Sequence, residues 1–402
     1  AIFPWDFRIM KPLFHTSGQG LAAGAACLGL VLCLAAPLPA EARTTLQLET
    51  GDTLSFEDGS IDMRTGSGEL YDVMLLEGDE PVLQADYLFI DASGEIGSLD
   101  WFIHELVAEN AEVPEESVFI GRLELRDTAV GQLADDEAMA SYEQYITDDT
   151  SILLENVGMV AEDALFSIDR IASLPFSFAE LNSGLQIVTS AGFEVDGMTV
   201  MPLEESVPGE NPVLDKLAER GISDIGMDLR IATGASLDGD EMQLFYGIEG
   251  SMRELAGIGF GIAFSMTQDA YSQLVPMLME PEENGTALIG LSGAVALDGA
   301  ELVIDDSGLM DILFEIAAEE EGVSEGDVRT MARISVAAVV QETFPQNLSR
   351  ILPPIEAMIS QGGRLEIAAM PQMPVPISSS LGFAVLPDLA IDQLGITVTH
   401  TP

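Results

Sequence analysis

After residue 43 apolar side chains recur at every second position over much of the chain, the mark of strands with one face toward a core and one toward water. Leu83, Ala85, Tyr87 and Phe89 are set against Gln84, Asp86 and Leu88. Phe119, Gly121, Leu123 and Leu125 are set against Arg122, Glu124 and Arg126. Ile225, Met227, Leu229 and Ile231 alternate with Asp228 and Arg230, and Met242, Leu244, Tyr246 and Ile248 with Glu241, Gln243 and Glu249. Two runs have no charged side. Ile258, Phe260, Ile262, Phe264 and Met266 are interleaved with Gly259, Gly261, Ala263 and Ser265, and the run from Leu288 to Leu297 is built the same way. These two are expected to be central strands packed on both faces. Turn signals at Asp238-Gly239, Glu283-Asn284-Gly285 and Asp298-Gly299 separate the strands, which points to an antiparallel meander.

The period changes to that of a helix between about residues 306 and 360. Leu309, Ile312, Leu313, Ile316 and Ala317 follow an N-cap at Asp305-Asp306-Ser307, and Gly322 supplies the stop. Ser324 and Asp327 cap a second helix through Val339, and a third stretch from Leu348 to Met358 is expected to break at Pro353-Pro354. Residues 98–112 fit a helix capped by Ser98 as well as a strand. Leu133 to Tyr145 reads as a short acidic helix. The fold class expected is α+β, mainly β: an antiparallel meander, curled into a groove in one version, with a helical segment at 306–360. Two β-rich regions are expected, 43–180 and 181–402.

The start of the chain reads as an export signal. Met10-Lys11-Pro12 is a short basic beginning, Leu21 to Pro39 is uncharged and apolar, and Ala40-Glu41-Ala42 has small residues where signal peptidase needs them. Residues 1–9 are read as over-extension of the reading frame, and 1–42 as removed, leaving no stable transmembrane anchor. The expected location is periplasmic or secreted. Both cysteines, Cys27 and Cys33, lie in this segment, so thiol chemistry and disulfides are excluded from the remainder.

Charge narrows the partners. Fifteen Lys+Arg against 68 Asp+Glu leave −53, and Lys216 is the only lysine after the signal. Such a surface repels nucleic acid, so no nucleic-acid partner is expected. The acid reads as a solvated shell suited to a saline medium. Among acidic turns, Asp238, Asp240 and Glu241 are the candidates for calcium, although they lack EF-hand spacing and turn preferences explain them.

Candidate chemistry is sparse. His104 and His400 are the only histidines after the signal, and His104-Glu105 is followed by Ala108 where a zincin needs histidine. A Ser-His-Asp triad would have to use one of these two, and a Ser-Lys dyad would need Lys216, which sits among acidic residues. Gly257-Ile258-Gly259-Phe260-Gly261 alternates as a strand and is not a phosphate loop; no cofactor is expected. Paired carboxylates could serve a secreted hydrolase, but Trp101 is the only tryptophan after the signal to form a sugar platform.

Gly68 to Leu75 followed by Val82-Leu83-Gln84-Ala85-Asp86-Tyr87-Leu88-Phe89-Ile90 resembles the strand rhythm of AsmA-like and TamB-like envelope proteins of Gram-negative bacteria. Met242–Met266, Ala300–Gly322 and the tail from Gly362-Gly363-Arg364-Leu365 to Pro376 resemble YdgA-like periplasmic proteins of unknown function. The resemblance implies long sheets curled into grooves and, for the AsmA-like members, lipid movement across the envelope. The reading that joins these observations is a non-enzymatic envelope protein: a β scaffold binding a lipid, another hydrophobic ligand or an envelope protein partner. Ile258, Phe260, Ile262, Phe264 and Met266 are the groove candidates. The alternatives are the acidic hydrolase and a calcium-stabilised adhesin or matrix protein.

Overall fold

A computed structural model describes residues 43–47, 53–78, 80–95, 100–114, 117–129, 146–161, 164–202, 212–222, 224–279, 293–379, 382–383 and 386–402. The expected signal at 1–42, the acidic helix at Leu133–Tyr145 and the turn at Glu283-Asn284-Gly285 lie outside these residues. The structure is α+β and mainly β, and its strands are joined in antiparallel order. The chain divides into two units, the first ending at Met159 and the second beginning at Val160.

The first unit holds β1 (Thr44–Gln47), β2 (Thr53–Phe56), β3 (Asp58–Ile61), β4 (Gly68–Glu77), β5 (Glu80–Ser93), β6 (Phe102–Val113), β7 (Val118–Ala129) and β8 (Ile146–Ala161). β1 pairs with β2; β2 and β3 lie along the same side of β4; from β4 to β8 each strand pairs with the next. From Phe102 onward the stretch that also fitted a helix is strand β6, because β5 and β7 satisfy its backbone on both sides; Ser98 and Leu99 lie outside the described residues.

Simple alternation fails at one level of this sheet. Leu70, Leu88, Ala108, Leu123 and Leu154 lie opposite one another in successive strands. Three residues along, Val73, Ala85, Ala111 and Ile120 join the same core as Leu70, Leu88, Ala108 and Leu123. A flat strand would turn every third residue to opposite faces. The extra step is taken by residues in left-handed backbone: Asp72 (φ 49°), Asn110 (φ 51°) and Asn156 (φ 54°). They occur on alternate strands, β4, β6 and β8, where short polar side chains tolerate that geometry. Asn110 Nδ2 donates to Asp86 Oδ2 on the strand between (2.8 Å). A Cβ on Gly121 would stand 2.9 Å from that of Asn156, so glycine lets those strands close at the crease. The sheet bends along this line and wraps its apolar side around one core, which Trp101 joins with its Nε1 donating to Thr65 O (2.9 Å). The sequence-based faces shift accordingly. Leu88 points inward although Tyr87 was expected there, and Phe119 is exposed while Ile120 is packed.

The second unit contains β9 (Ala164–Ser173), β10 (Ser177–Glu180), β11 (Gln186–Pro202), β12 (Ile225–Asp238), β13 (Glu241–Met252), β14 (Ala256–Thr267), β15 (Ala296–Asp306), β16 (Gly363–Ala369), β17 (Val375–Pro376) and β18 (Ile396–Thr401). β9 and β10 pair with one side of β11, and the meander then runs β11 to β16, with β17 also on β15 and β18 beyond β16. A crease of the same kind crosses β9 and β11 at Gly197 (φ 65°) and ends at β12, where Val195 and Met198 face Leu229 and Met227. Here glycine is required: an added Cβ would fall 2.1 Å from Asp169 Oδ2. The Gly197 N–H donates to Asp228 Oδ1 (2.8 Å). Asp298-Gly299, expected as a turn, lies inside β15 at a register shift, where Ser265 Oγ donates to Asp298 Oδ1 (2.7 Å).

Six helices are described: α1 (Pro212–Glu219), α2 (Gln268–Met279), α3 (Leu309–Glu321), α4 (Glu325–Thr343), α5 (Leu348–Gln361) and α6 (Pro387–Gln393). The segment at 306–360 is helical as expected, with Gly322 (φ 68°) ending α3 and a capping box at Ser324 and Asp327 starting α4. Helices α1, α2 and α6 add to it. The expected break at Pro353-Pro354 does not occur. α5 runs through both prolines, because Leu348, Ile351, Leu352 and Ile355 are held together in one apolar cluster.

Two stability predictions follow from the creases. Asn110→Val places a β-branched residue in left-handed backbone and is expected to cost about 1–2 kcal/mol in chemical denaturation, whereas Asn110→Gly should stay much closer to wild type. Asp228 is held below its ordinary value of 3.8, first by the Gly197 N–H and then by the Arg253 guanidinium. Its contribution is therefore present above the unfolded-state value and lost as pH falls through the lower folded-state value. Asp228→Asn should flatten the fall in stability below about pH 4, measured by urea titrations at stepped pH.

Candidate functional site

Alternation in β12 to β16 places one continuous apolar face on the second unit. A single cross-strand row reads Phe193, Ile231, Ile248, Phe260, Leu302 and Ile367. The neighbouring row carries Leu229, Gly250, Ile258 and Ile304. Such a face needs cover, and the helices provide part of it. At one end of the strands α2 packs Ala270, Tyr271 and Leu274 over Met266, Phe264 and Leu244, with Met242 fully buried nearby. At the other end Leu217 of α1 and Ile312 of α3 close on Ile225, Met252 and Leu255. Along the side, α4 and α5 bring Val340 and Ile351 onto Ile396 and Val398 of β18.

Between these three covers the described residues leave the sheet bare. Ile258 is 54 % exposed, Phe260 38 %, Phe193 41 % and Tyr246 40 %. The five groove candidates share one face of β14 but not one environment. Ile258 and Phe260 stand in the open window, Ile262 and Phe264 are half-buried, and Met266 is only 6 % exposed under α2. The result is a shallow apolar trough with walls of helix. The sequence reading missed α2, which forms the wall over Met266. Its signal was present in Ala270, Tyr271 and Leu274 at helical spacing, with the Thr267 hydroxyl accepting from the Ala270 N–H (3.2 Å).

The reverse face corrects one expectation. β14 was expected to be packed on both sides, yet a Cβ on Gly261 would meet nothing within 4 Å. That face carries Glu194, Arg230 and Glu249 in one row, with Arg230 Nε 3.4 Å from Glu194 Oε1. It is the wet side.

The other candidates fall into structural roles. Asp238 and Glu241 flank a two-residue hairpin turn with Gly239 at φ 61°. Asp240 Oδ1 accepts from Asn182 Nδ2 (3.0 Å), and Gln268 Nε2 donates to Gly239 O (2.6 Å), tying this turn to α2. Among the described residues no three His, Cys, Asp or Glu side chains gather in a way that could hold a metal ion. Lys216 Nζ bridges Glu219, Glu315 and Glu319, joining α1 to α3. These carboxylates raise the lysine's pKa, the opposite of what a catalytic lysine needs. His400 Nε2 lies 2.7 Å from Gly362 O.

One arrangement in the first unit resembles a triad on paper. His104 Nε2 lies 3.0 Å from Ser93 Oγ, and Nδ1 lies 3.9 Å from Asp127 Oδ1, across β5, β6 and β7. The second distance is too long for the hydrogen bond that would fix the imidazole tautomer, and the histidine and aspartate side chains are 46 % and 36 % exposed. The trio is a surface contact on a sheet face.

A family model described as an uncharacterized protein matches residues 252–401, which include β14 and the helices from α2 onward. No curated protein matches the chain. Among the described residues no helix is long and apolar enough to cross a membrane. Because Asp240 already accepts from Asn182 and no three acidic side chains gather to hold a metal ion among the described residues, adding millimolar calcium or EDTA is expected to leave the melting temperature unchanged. A calcium-dependent rise reversed by EDTA would contradict that assignment.

Proposed function

We propose that the second unit is a binding scaffold whose apolar trough takes the hydrocarbon portion of a lipid or lipid-like amphiphile. The observation that carries this reading is the pair Ile258 and Phe260, exposed on the same face as Tyr246 and Phe193, with helices covering both strand ends and one side of that face. Fully burying a side chain of this size is worth about 1.5–3 kcal/mol. Leaving several uncovered in one place is a cost that a bound chain would remove. An extended acyl chain suits a shallow trough between helices, since it needs contact area along its length and few polar anchors.

The resemblance to AsmA-like sheets supports the same reading, and the export signal read from Met10 to Ala42 would put the protein in the periplasm or outside the cell. The binding role is non-enzymatic. α4 also exposes apolar residues, Met331, Ile334 and Val339. They sit on a helix surface with Arg333 between Met331 and Ile334 and Glu342 just beyond Val339, so they make a poorer site.

Native mass spectrometry of the purified protein should detect a co-purifying lipid-sized adduct. Phe260→Asp should weaken binding of a hydrophobic fluorescent probe by about tenfold or more, the equivalent of about 1.4 kcal/mol. Gly261→Asp, one residue away on the wet face, should leave it unchanged. Equal effects of the two substitutions, or no binding by the wild type, would contradict the proposal.

A further inference from the structure

Resting on the trough reading, we infer that the trough selects amphiphiles by charge: its ligand has an apolar chain and a head group with no net negative charge. Every lysine and arginine after Val160 lies among the described residues, and each is already ion-paired. The cations nearest the trough's ends are committed. Lys216 and Arg220 are held by Glu315, and Arg253 by Asp228 on the wet face. Arg364 is likewise bound to Asp305.

The apolar rows themselves carry no charge from β12 to β15. Leu229, Ile231, Thr233, Tyr246, Ile258 and Phe260 contain hydroxyls at most. In the next row of the same face Asp306 lies opposite Ala256, so the charge this face carries at the end of β15 is negative.

A carboxylate or phosphate head would therefore lose water without gaining a counter-ion, and would do so within the field of a chain of net charge −53. An uncharged head loses nothing comparable. The trough lacks the arginine or lysine clamp on which recognition of anionic heads depends. The apolar surface accounts for the tail, and the charge layout sets the head group class.

The test compares two amphiphiles with one chain, monopalmitoylglycerol and palmitate, each displacing N-phenyl-1-naphthylamine from the purified protein. At low salt the neutral ester should bind about tenfold more tightly or better, and the ratio should shrink as salt screens the field. Thr233→Arg, which adds one cation to an exposed position in the trough, should tighten palmitate relative to monopalmitoylglycerol and so narrow the ratio between them. Palmitate binding as tightly as the ester to the wild type would overturn charge selection while leaving the trough as a binding site. Displacement by neither amphiphile would overturn both.

Discussion

An antiparallel sheet with one apolar face must hide that face from water, and how completely it does so shapes everything else in this protein. Among the described residues of the first unit, the sheet hides it by folding on itself. Left-handed residues at Asp72, Asn110 and Asn156 put an extra step into successive strands at one level, and the sheet folds around its own side chains. In the second unit the corresponding crease stops at β12; β12, β13 and β14 keep simple alternation, and β15 carries one bulge at Asp298. Helices must take over there. They reach both strand ends and one side, and the middle of β13 and β14 stays open.

Much of this was legible in the residues. The strands at Ile225–Ile231 and Met242–Ile248 keep the faces that alternation assigned them, because no extra residue interrupts β12 or β13. The helices from Leu309 to Gln361 follow their apolar spacing, with the stop at Gly322 and the cap at Ser324 and Asp327 as expected, while α3 has Gly308 at its N-cap and not Asp305, Asp306 or Ser307. The creases were not legible. A periodicity argument assumes two residues per repeat, and a single asparagine in left-handed backbone breaks the count with no hydrophobic signature. Asp298-Gly299 misled for a related reason: the pair that favours a turn also suits a bulge within a continuous strand.

The trough itself was half legible. The uncharged run at Ile258–Met266 marked an unusual strand, but composition could not say which face was covered. Glycine at 259 and 261 suggested a close neighbour, whereas Gly261 faces open space. The covered end is the apolar one, under α2, whose small and aromatic residues were hidden beside a strand of similar hydrophobicity. Charge, by contrast, carries through from composition to site. The second unit's few cations, each paired with a carboxylate, leave its apolar surface with no positive group to offer.

The most direct measurement is the position at which a bound chain touches the protein. A neutral glycerol ester bearing a diazirine in mid-chain, photolysed on the purified protein and mapped by peptide mass spectrometry, reports it residue by residue. The account predicts adducts concentrated on β13 and β14, around Tyr246, Ile258 and Phe260. Adducts on α4 at Met331 and Ile334, or spread evenly over the chain, would contradict it.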